Sequence, residues 1–156
     1  MALVFGYGSL APDGGTPARL RGFRRAWNVA MDNRVTIPGY KYYVDEAGER
    51  PDVYVTFLDL VPGKGVDGFV LEVGDLDALD AREQNYDRVD VTASVDADVE
   101  GQVWTYLGSA AGRGRFETGR AEGSAVVVRE YLETVIGVAA PPAMLPVLDL
   151  TRVDLP

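Results

Sequence analysis

Acidic side chains are concentrated in residues 79–88, which read LDAREQNYDR. Asp80, Glu83 and Asp87 lie around the end of a predicted short helix, immediately before a predicted strand. A carboxyl group in a cleft can act as a general acid and base when burial raises its pKa. Spacing alone does not choose among the three acids, and a solvated helix face with local ion pairs is the alternative interpretation.

The residue types leave few other kinds of acid–base group. The sequence has no Cys and no His, which excludes zinc sites built from those residues, a Ser-His-Asp or Cys nucleophile, and haem with a His or Cys axial ligand. Any proton transfer must therefore use Asp, Glu, Lys, Tyr or a backbone group, and a buried carboxyl is the leading candidate.

Residues 5–10, FGYGSL, follow a short apolar run that predicts a buried first strand. Gly6 and Gly8 allow a sharp turn in which successive backbone N–H groups can form an anion-binding concavity. A plain β-turn is the alternative. The stretch is not a dinucleotide-binding fingerprint, because the third glycine is missing and no helix pattern follows.

The length and net charge of the chain limit the classes of protein to which it can belong. The chain has 156 residues, and 15 Lys and Arg against 24 Asp and Glu give a net charge of −9. We expect one domain over residues 1–156 and no affinity for nucleic acid or anionic membranes. No signal peptide or membrane span is evident, so we expect a cytoplasmic location. Nothing in the residues indicates an oligomeric state.

A short helix and a set of strands are expected to position the candidate acids and the turn. Asp75 is a good N-cap for a short helix through Arg82, with Leu79 on its buried face. Alternating or apolar runs predict about six strands, at residues 2–5, 22–31, 53–61, 66–73, 88–95 and 101–107. Residues 62–65, PGKG, are predicted to be the turn of a hairpin.

The remaining segments complete the expected fold. Residues 38–51 are predicted to be a long loop, with a short hairpin as an option, 108–123 to be irregular, and the Pro-rich tail from 141 to lie across the surface. A second helix is predicted after Ser124 and ends at Gly137. Its apolar stripe would be Val128, Leu132, Val135 and Ile136. Strands with only two helices indicate an α+β fold, with a small mixed sheet that curls into a barrel.

These stretches, in this order, resemble the gamma-glutamylcyclotransferase-like superfamily, which includes gamma-glutamylamine cyclotransferases and AIG2-like proteins. The YGSL of residues 7–10 resembles the signature of that group. Residues 20–31, 67–73 and 79–91 resemble its second strand, the strand before its acidic helix, and the segment that carries its catalytic Glu. Trp104 to Tyr106 resemble the strand that follows.

The resemblance implies an enzyme without a cofactor or metal, acting on a small-molecule gamma-glutamyl amide. The α-amine of the substrate attacks its own γ-carbonyl and releases 5-oxoproline and an amine. Glu83 takes the place of the general acid and base of the family. The substrate-holding loop corresponds to Tyr7, Gly8, Ser9 and Leu10.

Other interpretations remain open. The family often has Gly after the catalytic Glu, whereas Gln84 and Asn85 follow it here, which keeps a non-catalytic protein that binds a small acidic metabolite as an alternative. A hydrolase using Asp80 with Glu83 is a weaker one. Tyr86 and Tyr106 are candidate substrate contacts, with core packing as their alternative role. The tyrosines at 40, 42 and 43 are a candidate lid.

Overall fold

The computed structural model describes residues 1–10, 15–135, 137, 139–142 and 144–156. Its strands are β1 Ala2–Gly6, β2 Thr16–Asp32, β3 Lys41–Val44, β4 Tyr54–Val73, β5 Tyr86–Asp90, β6 Val95–Ala97, β7 Val103–Gly108, β8 Ala125–Val128, β9 Val147–Leu148 and β10 Thr151–Asp154. Its α-helices are α1 Leu76–Arg82, α2 Ala110–Glu122 and α3 Arg129–Val135.

A mixed sheet forms the centre of the molecule. Its strands follow the order β5-β7-β1-β4-β2-β6, and β8 pairs with β4 and β9 off this path. β1 is antiparallel to β4 and parallel to β7. The sheet curls into a half-barrel around a core of apolar side chains from several strands. This confirms the predicted α+β class with a barrel-like mixed sheet. The largest fully buried core side chains are Phe5, Leu20, Leu58 and Leu60.

The longest pairing joins β2 to β4 along an antiparallel ribbon. The register shifts between Arg21 and Phe23 and again between Trp27 and Val29, and such bulges bend and twist a ribbon. The predicted hairpin turn at residues 62–65 is wrong, because β4 continues through it. Pro62 lies opposite Phe23 directly after the first register shift, a position where a strand tolerates a residue without an N–H.

Two further expectations are wrong for local reasons. Residues 108–123 are not irregular, since most of them form α2, which Ser109 caps by accepting a hydrogen bond from Gly112 N at 3.0 Å. The helix predicted after Ser124 begins later, at Arg129, because residues 125–128 form the fully buried strand β8. Ile136 of the predicted stripe lies outside the described residues.

The helix predicted after Asp75 is confirmed, while the strand predicted at 88–95 is interrupted. Asp75 Oδ1 accepts a hydrogen bond from Ala78 N at 3.0 Å and caps α1. The alternating run divides into β5 and β6, with a 3₁₀ turn at Thr92–Ser94 between them. Asp90 accepts hydrogen bonds from Thr92 N and Oγ1 and so supports this turn.

A second, two-stranded sheet joins distant parts of the chain. β3, within the predicted loop at 38–51, pairs antiparallel with β10 of the tail. Gly39 N donates to Pro156 O at 3.0 Å, and Leu155 N donates to Tyr40 O at 2.8 Å, which extends the contact beyond the strands. The tail is therefore not simply laid over the surface, because its last strand forms part of a sheet.

Candidate active site

Glu83 is held at the end of α1. It is the C-cap residue of that helix, and its N–H lies 3.0 Å from Leu79 O and 3.2 Å from Asp80 O. Leu79 is buried on the face of α1 that packs against Val4 and Tyr106. The carboxyl group of Glu83 thus projects from a helix end that is fixed to β1 and β7.

The turn after β1 is fixed by two long-range hydrogen bonds. The Tyr7 hydroxyl donates to Tyr106 O at 2.5 Å, and Arg25 Nε donates to Tyr7 O at 2.6 Å. By contrast, the backbone N–H groups of Gly8, Ser9 and Leu10 donate to no other described residue. Among the described residues the turn therefore leaves these N–H donors without an acceptor, as an anion-binding turn requires.

Two neighbouring chambers share Glu83 as a lining residue. The narrow chamber, about 30 Å³, is lined by the turn, by Glu83, and by Leu58 and tyrosines. The wide chamber, about 530 Å³, extends from Ser9, Leu10 and Glu83 to the β3–β10 sheet and α3. Because one water needs about 10–15 Å³ of such volume, the narrow chamber has room for one small polar group, and the wide one for a much larger group.

Burial leaves the carboxyl group of Glu83 poorly hydrated. It forms no hydrogen bond or ion pair with any described residue. Burial raises its pKa above the usual value for Glu, and the more distant charges of Lys41, Arg82 and Arg152 oppose that change only in part. A raised pKa brings a carboxyl closer to the range in which it both accepts and returns a proton near neutral pH.

The two tyrosines predicted to contact substrate form hydrogen bonds with different partners. The Tyr86 hydroxyl donates to Leu58 O at 2.6 Å and lies beside both chambers. The Tyr106 hydroxyl donates to Asp80 Oδ1 at 2.6 Å, although its ring borders the narrow chamber. Both side chains are therefore near the candidate site, and the Tyr106 hydroxyl also ties α1 to β7.

The structure separates the three acids of residues 79–88. Asp80 accepts hydrogen bonds from Arg88 Nε at 2.9 and 3.2 Å as well as from Tyr106. The Tyr106 hydroxyl and then Arg88 lower the pKa of Asp80. Neither Asp80 nor Asp87 lines either chamber. The predicted pair of Asp80 with Glu83 is therefore not assembled around the cavity.

The two residues that follow Glu83, and that depart from the family pattern, differ in burial. Gln84 is exposed and donates to Ala81 O at 2.6 Å. Asn85 is buried, donates to the Tyr40 hydroxyl at 3.1 Å and accepts from Arg115 Nη2 at 2.8 Å. Asn85 thus connects the chain after Glu83 to the cavity wall and to α2. The polar residue at position 85 has a structural role that a glycine could not fill.

Part of the cavity wall is formed by residues that the sequence does not mark as functional. Lys41 lies on β3, and burial lowers its pKa to about 8. Tyr131 of α3 borders both chambers and accepts a hydrogen bond from Leu58 N at 3.2 Å. Arg152 reaches the wide chamber from β10. No local pattern marks these residues, because the β3–β10 pairing and the burial of α3 bring them to the cavity.

Two searches of the described part of the chain give negative results. Residues 1–10, 15–135, 137, 139–142 and 144–156 contain no cluster of three or more acidic side chains arranged to hold a metal ion. Within the same ranges, no helix has the length and apolar character needed to cross a bilayer.

Comparison with known proteins gives one match. The family model described as gamma-glutamyl cyclotransferase, AIG2-like, matches residues 4–123. This range contains the turn, α1 with Glu83, and β3 with Lys41, but ends before α3 and β10. A search of curated proteins finds no match.

Proposed function

Since the chain belongs to the AIG2-like gamma-glutamyl cyclotransferase family, as the match over residues 4–123 shows, we propose that it cyclises a γ-glutamyl amide. The products are 5-oxoproline and a free amine. The observation that carries the proposal is the position of Glu83, which bonds to no described residue, lines both chambers and shares the narrow one with the turn at residues 7–10.

The turn is suited to the anionic end of a γ-glutamyl group. Gly8, Ser9 and Leu10, whose N–H groups donate to no described residue, border a chamber that has room for one carboxylate. With the α-carboxylate held there, the γ-carbonyl would lie toward Glu83 and the wide chamber. Holding the α-amine near the γ-carbonyl converts ring closure into a reaction of high effective molarity.

Glu83 supplies the proton transfer. Its carboxylate takes a proton from the α-ammonium group, and the freed amine nitrogen forms a bond to the γ-carbon. Glu83 gives this proton to the leaving nitrogen and takes the second proton from the attacking nitrogen, and the bond from the γ-carbon to the leaving nitrogen then breaks. The second proton passes from Glu83 to the freed amine, which leaves as an ammonium group. Atoms and charges balance without a cofactor, and the partial burial of Glu83 favours these proton transfers.

The test is release of 5-oxoproline from a panel of γ-glutamyl compounds by the wild type and by Glu83→Gln. Glutamine keeps the shape of the side chain and cannot accept the proton, so we expect turnover to fall about 10²-fold or more while substrate still binds. Glu122→Gln is the matched control, because Glu122 is exposed at the end of α2. Near-normal turnover by Glu83→Gln would rule out this role.

The same experiment separates the non-catalytic alternative. Binding of a γ-glutamyl compound by the wild type without release of 5-oxoproline would indicate a binding protein. Isothermal titration with the same panel measures that binding directly. The burial of Asn85 and its fixed hydrogen bonds support a rigid site in either case, so turnover is the deciding measurement.

A further inference from the structure

The wide chamber has a wall whose charges are unevenly paired. Lys41 and Tyr43 of β3 and Arg152 and Asp154 of β10 line it together, with Lys41 opposite Asp154 and Tyr43 opposite Arg152 in the register. Arg152 Nε is bonded to Asp154 Oδ1 at 2.6 Å, so these two charges largely neutralise each other. Lys41 is the group in this wall that needs further explanation.

The Lys41 ammonium is enclosed by rings and lacks an acceptor. Its Nζ lies 4.6 Å from the centre of the Phe57 ring and 5.3 Å from that of Tyr40. It forms no hydrogen bond or salt bridge with any described residue, within the 4.0 Å limit for N to O. Aromatic faces attract a cation but satisfy none of its three N–H donors. A half-buried ammonium of this kind is prepared for an anion.

The position of Lys41 relative to Glu83 indicates which part of a substrate would carry that anion. Lys41 lines the wide chamber only, whereas Glu83 lines both chambers. A γ-glutamyl group held by the turn has its scissile bond near Glu83, so the group beyond that bond extends into the wide chamber. That group is the leaving amine.

We propose that Lys41 binds a carboxylate carried by the leaving amine, so that the protein prefers γ-glutamyl amino acids or γ-glutamyl peptides to uncharged γ-glutamylamines. This inference rests on the proposed cyclisation and on the placement of the α-carboxylate of the glutamyl group in the narrow chamber. It makes Lys41 a specificity-determining residue.

The presence of lysine rather than arginine at position 41 is consistent with a contact made by a compact charge. The sequence contains only two lysines, Lys41 and Lys64, so arginine supplies the other 13 of its 15 basic side chains. Lys64 lies exposed on β4. A compact ammonium fits between two rings and can direct any of its three N–H groups to a carboxylate, whereas a guanidinium needs a planar arrangement of acceptors.

The test uses two substrates that differ only in the group that Lys41 would bind. γ-Glutamylalanine carries a carboxylate on its leaving amine, and γ-glutamylalaninamide carries an uncharged carboxamide of the same size. We expect the wild type to favour the acid about 10-fold or more in kcat/KM, as a charge-assisted hydrogen bond provides. Release of 5-oxoproline is the measurement for both.

The variants assign this preference to Lys41. In Lys41→Met the ratio of the two kcat/KM values should fall about 10-fold, while Lys64→Met should keep the wild-type ratio. Lys41→Gln is the second variant if the methionine variant does not fold. An unchanged ratio, or an equal loss on both substrates, would overturn the proposal, since an equal loss would place Lys41 on the glutamyl half.

The outcomes distinguish this inference from the proposed function. Equal turnover of both compounds by the wild type overturns the role of Lys41 and leaves cyclisation intact. Release of 5-oxoproline from neither compound, nor from any other member of the γ-glutamyl panel, overturns both. A preference for the acid that is lost in Lys41→Met supports both.

Discussion

Asp59 and Glu83 are both acidic side chains withdrawn from water, but their surroundings are opposite in kind. The carboxylate of Asp59, fully buried in β4, accepts hydrogen bonds from Leu60 N, Gly108 N, Asn28 Nδ2 and Arg113 Nε, at 2.7–3.0 Å. Glu83 has no such bond to any described residue.

The two basic groups near these acids differ in the same way. Arg113 is bonded to Asp59 at 2.8 Å, whereas Lys41 faces the cavity without a bonded partner among the described residues. A buried charge with all its partners supports the fold, because each bond offsets part of the cost of dehydration. An unpaired charge beside a cavity reduces stability and is typical of a site that binds or reacts.

The largest effect is expected from breaking the satisfied pair. Arg113→Met leaves the Asp59 charge buried with only uncharged donors, and we expect the free energy of unfolding to fall by about 3 kcal/mol. Urea denaturation measures this change. Arg120→Met on the same helix removes an exposed ion pair with Glu117 and should change stability by no more than about 0.5 kcal/mol. Equal effects of the two substitutions would contradict the contrast.

Glu83→Gln should lower turnover without lowering stability, unlike Arg113→Met, which is expected to lower stability. We expect turnover to fall about 10²-fold or more, with no loss of stability, because the substitution removes a charge that has no bonded partner among the described residues. Comparison of urea denaturation curves with those of Glu122→Gln checks the stability. A large loss of stability in Glu83→Gln would mean that the carboxylate supports the fold, as Asp59 does.

Lys41→Met should raise the free energy of unfolding at pH 7 by about 2 kcal/mol, because it removes a charge that burial destabilises. The loss of contacts to the Phe57 and Tyr40 rings offsets part of this gain. The pKa of Lys41 is about 8 in the fold and 10.5 when unperturbed, so the unfolded chain binds more protons between these values. The stability of the wild type relative to the variant should therefore rise as pH increases from 8 to 10.5.

Urea denaturation at pH 7 and pH 10 measures that difference, and Lys64→Met is its control because Lys64 is exposed. A difference between wild type and Lys41→Met that stays constant with pH would show that Lys41 is as well hydrated as Lys64. A destabilised Lys41→Met would show that the ammonium has a partner in the fold.

The smallest effect is expected where the cavity wall is anchored. Tyr40→Phe removes the acceptor of Asn85 Nδ2 and should lower the free energy of unfolding by about 1 kcal/mol, as expected for one buried hydrogen bond. Tyr42→Phe is the control, since the Tyr42 hydroxyl bonds to no described residue. Equal stability of the two variants would show that Asn85 does not depend on Tyr40.

Local signals predicted the elements that carry the reacting groups. The cap at Asp75 and the buried Leu79 predict α1, and the glycines after the first strand predict the turn at residues 7–10. These features depend on interactions between near neighbours in sequence, so single-sequence reasoning can find them. The family resemblance then singled out Glu83, which spacing alone could not separate from Asp80 and Asp87.

Close packing concealed α2 from such reasoning. Its glycine content is typical of an irregular segment, but at two of the glycines neighbouring parts of the chain leave no room for a side chain. A Cβ at Gly112 would lie 2.5 Å from Asn85 O, and one at Gly119 would lie 2.8 Å from Tyr54 Cβ. Glycine lowers the helix propensity and permits the approach of the helix to β4 and Asn85. Tertiary contacts therefore outweigh local preference.

Other misses have a similar cause. Residues 125–128 continue into a helical pattern, and their pairing with β4 and β9 makes them a strand. The long β2 strand holds residues 62–65 extended, although their composition favours a turn. Lys41 reaches the cavity because β3 pairs with a strand more than a hundred residues away along the chain. Contacts of that separation leave no periodic pattern in the sequence.

The bond from Gly39 N to Pro156 O has a practical consequence for anyone who purifies the protein. Gly39 borders the wide chamber, so a peptide attached after Pro156 would emerge beside that chamber. A polyhistidine tag there would place a cluster of titratable imidazoles at the rim of the chamber that Lys41 lines. Met1, which is 86% exposed, is the safer point of attachment.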